Sequence, residues 1–174
     1  MNKSILITGV AGSGKSAICD ELIKSGYKAF GIEEIDGLFK MVDKKTGKPL
    51  KNFDNNDLES VNQSRWICDK KKLEKLMSKN VKDLTFYCGI ASNMQDLLPL
   101  FDKVFLLRAN LKVLRYRLTT RTSNTFGKNP QVQKQIFSWK NWWEKEMIKK
   151  GAILINANPS IEKVTKEILK KSAF

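Results

Sequence analysis

Gly9-Val10-Ala11-Gly12-Ser13-Gly14-Lys15-Ser16 fits the pattern G-x-x-x-x-G-K-[ST] without a gap. Residues of these types at this spacing cradle a chain of phosphates. Glycines let successive backbone N–H groups turn inward, in conformations that a Cβ would oppose. The amides from Gly9 to Ala17 would line the cradle, and a helix beginning there adds its positive end. Lys15 would reach the β- and γ-phosphates of a nucleotide, and the Ser16 hydroxyl would ligate Mg²⁺. Other groups with chemical potential lie further along. Glu33-Glu34-Ile35-Asp36 sets three carboxylates within four residues. Arg117 and Arg121 are four apart in a helix-patterned stretch, so they project from one side of it. Lys128 follows Gly127 in a short polar segment.

These groups need a scaffold, and the hydropathy pattern supplies one. Short β-type runs occur at Ser4–Thr8, Lys28–Ile32, Leu84–Cys88, Val104–Leu107 and Ile153–Asn156, with helix-patterned segments between nearly all of them. Strands alternating with helices predict a parallel sheet covered on both faces. Ile18, Leu22 and Ile23 mark a helix that stops at Gly26. Asn129-Pro130 opens a helix of about 20 residues whose Val132, Ile136, Trp139, Trp143 and Met147 share a face. Those tryptophans read as core, with Trp142 the odd one out. Pro159 and Ser160 open a last helix with Ile161, Val164, Ile168 and Leu169 inward. Two polar stretches break the alternation. Residues 43–56 carry Thr46-Gly47-Lys48-Pro49 and read as a loop or hairpin leading into helices near 57–65 and 69–79. Residues 122–129 contain Phe126-Gly127-Lys128 and join two helices.

The chain has 174 residues, 32 Lys+Arg against 18 Asp+Glu, a net charge of +14, three cysteines and no histidine. Without histidine, Ser/His/Asp and Cys/His nucleophile systems and His-ligated zinc are excluded. Cys19, Cys68 and Cys88 form no C-x-x-C pair, which disfavours a zinc knuckle or a disulfide framework. No apolar run approaches the roughly 20 residues that span a bilayer, and the expected location is the cytoplasm. Of the 32 cations, five are arginines. The lysine excess reads as a solvated coat or coding bias ahead of a nucleic-acid surface.

The phosphate loop, Leu106-Leu107-Arg108-Ala109-Asn110 running into Arg117-Leu118-Thr119-Thr120-Arg121, and the following Gly127-Lys128 resemble the small P-loop kinases, the group of nucleoside monophosphate kinases, shikimate kinase and gluconate kinase. The resemblance spans nearly the whole chain in order of elements. It implies ATP and Mg²⁺ as cofactors, a small-molecule acceptor, and Arg117 packing on adenine while Arg121 contacts phosphates under a closing lid. Glu34 and Asp36 resemble the D-x-D pair of shikimate kinase, implying Glu34 near the Mg²⁺ waters and Asp36 orienting or deprotonating the acceptor, with Glu33 kept in play. The third strand ends Phe86-Tyr87-Cys88-Gly89 without the usual Walker B aspartate, and Gly89 is read as a backbone N–H near the acceptor or the γ-phosphate. Cys88 is read as a small buried strand residue.

The expected architecture is a three-layer α/β P-loop kinase domain over residues 1–174. Its five parallel strands take the order 2-3-1-4-5, with an acceptor-binding insertion at 37–80 and a lid at 122–129. The expected activity moves the γ-phosphate of ATP to a nucleoside, nucleotide, sugar or polyol, in a monomer or a dimer away from any membrane. A polynucleotide end kinase and a non-catalytic nucleotide-binding regulator are the alternatives.

Overall fold

The computed structural model describes residues 3–80 and 84–173. Apolar runs build the centre. β1 (Lys3–Thr8), β2 (Lys28–Gly31), β5 (Leu84–Cys88), β6 (Lys103–Arg108) and β7 (Ile153–Asn156) form a sheet in the order β2-β5-β1-β6-β7. All its pairings are parallel. Counting those five strands alone, the order is the expected 2-3-1-4-5. Ile5, Leu6 and Ile7 are fully buried at the middle of the sheet, as a strand covered on both faces requires.

Two apolar layers flank the sheet. Ile5, Ile7, Phe105 and Leu107 pack with Ile18 and Leu22 of α1 (Lys15–Lys24), Leu114 and Leu118 of α5 (Leu111–Thr120) and Ile168 of α7 (Ile161–Lys171). On the other face Leu6, Tyr87 and Leu106 pack with Leu73 of α3 (Lys70–Ser78), Leu97 of α4 (Met94–Leu97) and Met147 of α6 (Pro130–Lys149). Asn129 caps α6 by accepting from the Gln131 amide, and Trp139 meets Trp143 edge to face at 6.0 Å. Trp142 stays 62% exposed. The long α6 is tied to the end of β6 by a buried carboxylate. Glu144 lies 2.8 Å from Arg108 Nε and 2.9 Å from Lys140 Nζ. A carboxylate buried this deeply is tolerable only when cations pair it.

The segment after β2 departs from expectation. β3 (Phe39–Asp43) and β4 (Ser64–Cys68) form an antiparallel hairpin outside the main sheet. The helix expected near 57–65 is shorter, α2 (Leu58–Gln63), and gives way to β4. The physical reason is nonlocal. Met41 pairs Trp66 and Phe39 pairs Cys68 across the hairpin, while β4's outer side is laced to the loop after β5. There the Ser92 amide donates to Trp66 O at 2.7 Å, Trp66 N to Ser92 Oγ at 3.1 Å, and Asn93 exchanges bonds with Cys68 N and O. Among the described residues no helix is long and apolar enough to cross a membrane.

Candidate active site

The phosphate loop joins β1 to α1 at the carboxyl end of the sheet, where open α/β folds bind ligands. Gly14 serves as the N-cap of α1 with φ +102°, a backbone that any side chain would strain. Lys15 folds back over the loop and donates to Gly9 O at 2.8 Å. Burial pushes its ammonium below the usual lysine range, Glu33's charge opposes that shift, and Arg121's adds to it. Lys15, Glu33 and Arg121 therefore share one electrostatic site, although 18 and 88 residues separate Glu33 from its two cations.

Arg117 projects from α5 toward the phosphate loop. It donates to Ser13 O at 3.3 Å and to Ala157 O at 3.0 Å, bridging the phosphate loop and the turn after β7. Arg121 is no longer helical; it caps the C-terminus of α5 with extended ψ 145° and turns toward residues 122–129, where Nη2 donates to Phe126 O. Burial lowers both guanidinium pKa values. Ser13 Oγ and Arg121 Nε are buried without a hydrogen-bond partner among the described residues. Unsatisfied buried groups are costly, and Ser13 Oγ lies packed against Gly9 at the start of the loop.

The carboxylates sort differently from the shikimate kinase analogy. A 3₁₀ turn, Ile32–Glu34, follows β2 with Ile32 buried. It sends Glu33 inward, where Oε1 accepts from the Ile90 amide at 2.9 Å and Oε2 from the Trp66 indole N–H at 3.2 Å. Glu34 and Asp36 are both exposed. The expectation that Asp36 faces the acceptor finds no support in its placement: Asp36 is exposed, and Glu33 is the carboxylate that the turn holds inward. The Gly89 reading needs correction, because its N–H donates to Ile7 O at 3.0 Å and is not free. What Gly89 supplies is room. A Cβ there would lie 2.5 Å from Ile32 Cγ1 and 3.3 Å from Glu33 Cγ, so only glycine lets the 3₁₀ turn press against β5.

Two of the thiols, Cys68 and Cys88, are held protonated and are poor nucleophiles. Cys88's pKa rises through its hydrogen bond with Cys19 and through burial, and burial pushes Cys68 up to about 12. Cys88 is a buried strand residue, as read from the sequence. Two residues escaped sequence reasoning in their present roles: Trp66 holds Glu33 through its indole N–H, and Ile90 holds it through its backbone N–H. Residues 122–129, expected to form a lid, bond directly to the segment expected to be an insertion. Thr125 Oγ1 donates to Asn55 Oδ1 at 2.8 Å and Asn129 Nδ2 to Asn56 O at 2.9 Å. Lys128 is exposed and only its amide is engaged, to Thr125 O at 3.0 Å. A cavity of about 660 Å³ opens on the insertion beside Lys51, Phe53 and Asp57. Its lining includes neither Lys15 nor Glu33, so it is distinct from the cluster of Lys15, Glu33 and Arg121.

Mg²⁺ fits these donors in one manner. Among the described residues no group of three or more His, Cys, Asp or Glu gathers to hold a metal. Mg²⁺ commonly takes one or two protein oxygens, with phosphates and water completing its shell. The exposed Ser16 hydroxyl is such an oxygen, next to the phosphate cradle.

No protein-family model matches the sequence, and no curated protein matches it. Solved structures do. The fold is that of the P-loop kinases, with neighbours that align over nearly the whole chain. Deoxyadenosine kinase from M. mycoides, solved with bound dATP, is 16% identical with a TM-score of 0.60, covering 97% of this chain and 98% of that one. A gluconokinase from Sinorhizobium meliloti is 17% identical with a TM-score of 0.54, covering 98% and 91%. A sugar kinase from Janibacter sp. is 15% identical with a TM-score of 0.56, covering 98% and 94%. At these identities the likeness establishes the fold.

Proposed function

We propose that this chain is an ATP-dependent phosphotransferase carrying the γ-phosphate of ATP to a hydroxyl of a small-molecule acceptor. One observation carries the reading: a fixed carboxylate, Glu33, stands within electrostatic reach of the phosphate-loop Lys15 and the lid Arg121. Phosphoryl transfer needs little covalent help beyond a positioned acceptor and neutralised charge. Glu33, with a donor on each oxygen, orients the acceptor hydroxyl and takes its proton as the new O–P bond forms and the bond to the β-phosphate breaks. Lys15 and Arg121 neutralise charge on the bridging and γ-phosphate oxygens, and Arg117 holds the base end of the nucleotide. Ser16 would help hold Mg²⁺, which when bound would supply further charge neutralisation. The names of the structural neighbours, nucleoside and sugar kinases, support the same reaction class.

The test is ADP release measured across nucleosides, nucleotides, sugar acids and polyols, with Lys15→Met as the control. Turnover in that variant is expected to fall at least a hundredfold, about 2.7 kcal/mol of transition-state stabilisation, with the fold intact. Undiminished turnover in Lys15→Met, or no ADP release with any acceptor, would sink the proposal.

A further inference from the structure

The acceptor side has an unusual division of labour between rings and charges. Trp66 stacks on Phe39 with centroids 5.1 Å apart and planes 26° from parallel. The pair forms a stiff aromatic wall, because β4 is bonded to β3 on one side and to Ser92 and Asn93 on the other. The same indole gives its N–H to Glu33 Oε2, so the wall and the carboxylate are one unit. Side chains alternate across a strand. Arg65 and Lys40 therefore lie on the opposite face of the hairpin from Trp66 and Phe39, and both are exposed. The exposed Lys72 ammonium is taken by Gly37 O at 2.8 Å. Lys15 and Arg121 lie within electrostatic reach of Glu33, and both belong to the segments expected to hold the phosphates.

An acceptor carrying its own carboxylate or phosphate would bring a second negative charge out of water beside the held carboxylate of Glu33, a costly arrangement. A flat uncharged ring instead gains area and stacking against an aromatic wall. We infer that the acceptor is an uncharged, ring-bearing alcohol of the nucleoside class, and that Trp66 is the positioning residue that reads the ring and holds Glu33 in line with the hydroxyl. This rests on the phosphotransferase reading above.

Two substitutions and a panel test it. Trp66→Phe keeps a ring against Phe39 but removes the N–H. Its kcat is expected to fall at least tenfold, while KM for acceptor and for ATP stay within threefold of the parent. Trp66→Leu removes the ring as well, and acceptor KM should then rise at least tenfold with the affinity for an ATP analogue unchanged, which also reports an intact fold. In the panel, adenosine, cytidine and their deoxy forms should support ADP release at kcat/KM at least a hundredfold above gluconate, shikimate or nucleoside monophosphates. Preference for one of the charged acceptors overturns the acceptor class and leaves the kinase reading standing. Parental kcat in Trp66→Phe overturns the positioning role. ADP release with no acceptor at all overturns both readings together.

Discussion

Glu33 and Asp36 are three residues apart and differ in everything that matters for proton transfer. Glu33 is held by Ile90 N and the Trp66 indole inside the site, and Asp36 is exposed. Once an acceptor is in hand, Glu33→Gln is expected to lower turnover by roughly a hundred- to ten-thousandfold, with Asp36→Asn close to parental and ATP affinity retained in both. The reverse ranking would return the role to Asp36. Lys15 gives a second test, with a definite sign. Burial lowers its pKa from 10.5, and phosphates favour the charged form and raise it again. Between the lowered value and 10.5 the free protein is partly neutral at Lys15 and the complex is charged. ATP binding there takes up a proton, and affinity falls as pH rises through that window. Calorimetric titration at alkaline pH in two buffers of different ionisation heat should show the uptake, and Lys15→Met should erase it. A binding heat independent of the buffer would contradict the assignment.

Between elements, the informative contact is the one joining the lid segment 122–129 to the insertion. Arg121 to Phe126 O, Thr125 to Asn55 and Asn129 to Asn56 hold it in place, with Phe126 packed on the core and most of its other side chains exposed. Few apolar anchors and solvent-facing bonds mark a segment that opens at low cost. Amide exchange in 122–129 should slow selectively when ATP and Mg²⁺ are added, and Arg121→Ala should remove most of that protection while α5 stays protected. Equal protection with and without nucleotide would make the segment a fixed connector. The elements themselves were unequally legible in the sequence. The five sheet strands and the helices α1, α6 and α7 announce themselves because their apolar periodicity and caps are local. β4 does not, because Ser64-Arg65-Trp66-Ile67-Cys68 becomes a strand through partners at 39–43 and 92–93. The choice among three carboxylates was closed to the sequence for the same reason: Gly89's missing Cβ and the Ile90 amide, 57 residues away from Glu33, decide which one turns inward.

For the molecule as a whole, a net charge of +14 makes the surrounding potential positive. It favours the approach of anionic nucleotides, an effect screened within about 8 Å at physiological salt. Raising salt from about 50 to about 300 mM should therefore increase KM for ATP several-fold with kcat unchanged. KM for an uncharged acceptor should stay flat, which makes the salt series an independent gauge of acceptor charge. Steep salt-dependent binding of single-stranded RNA or DNA would instead assign the basic surface to nucleic acid.

The hairpin is anchored along its whole length, and its turn is closed as far as Leu50 by the bond from Leu50 N to Met41 O. The stretch from Lys51 to Asp57, which meets the lid, belongs to no strand or helix. Lineages that lengthen or shorten that stretch would change what is admitted between insertion and lid while the phosphate machinery is inherited intact. In the phosphotransferase proposed above, new acceptors would then arise by insertion and deletion, with the nucleotide side left as it is.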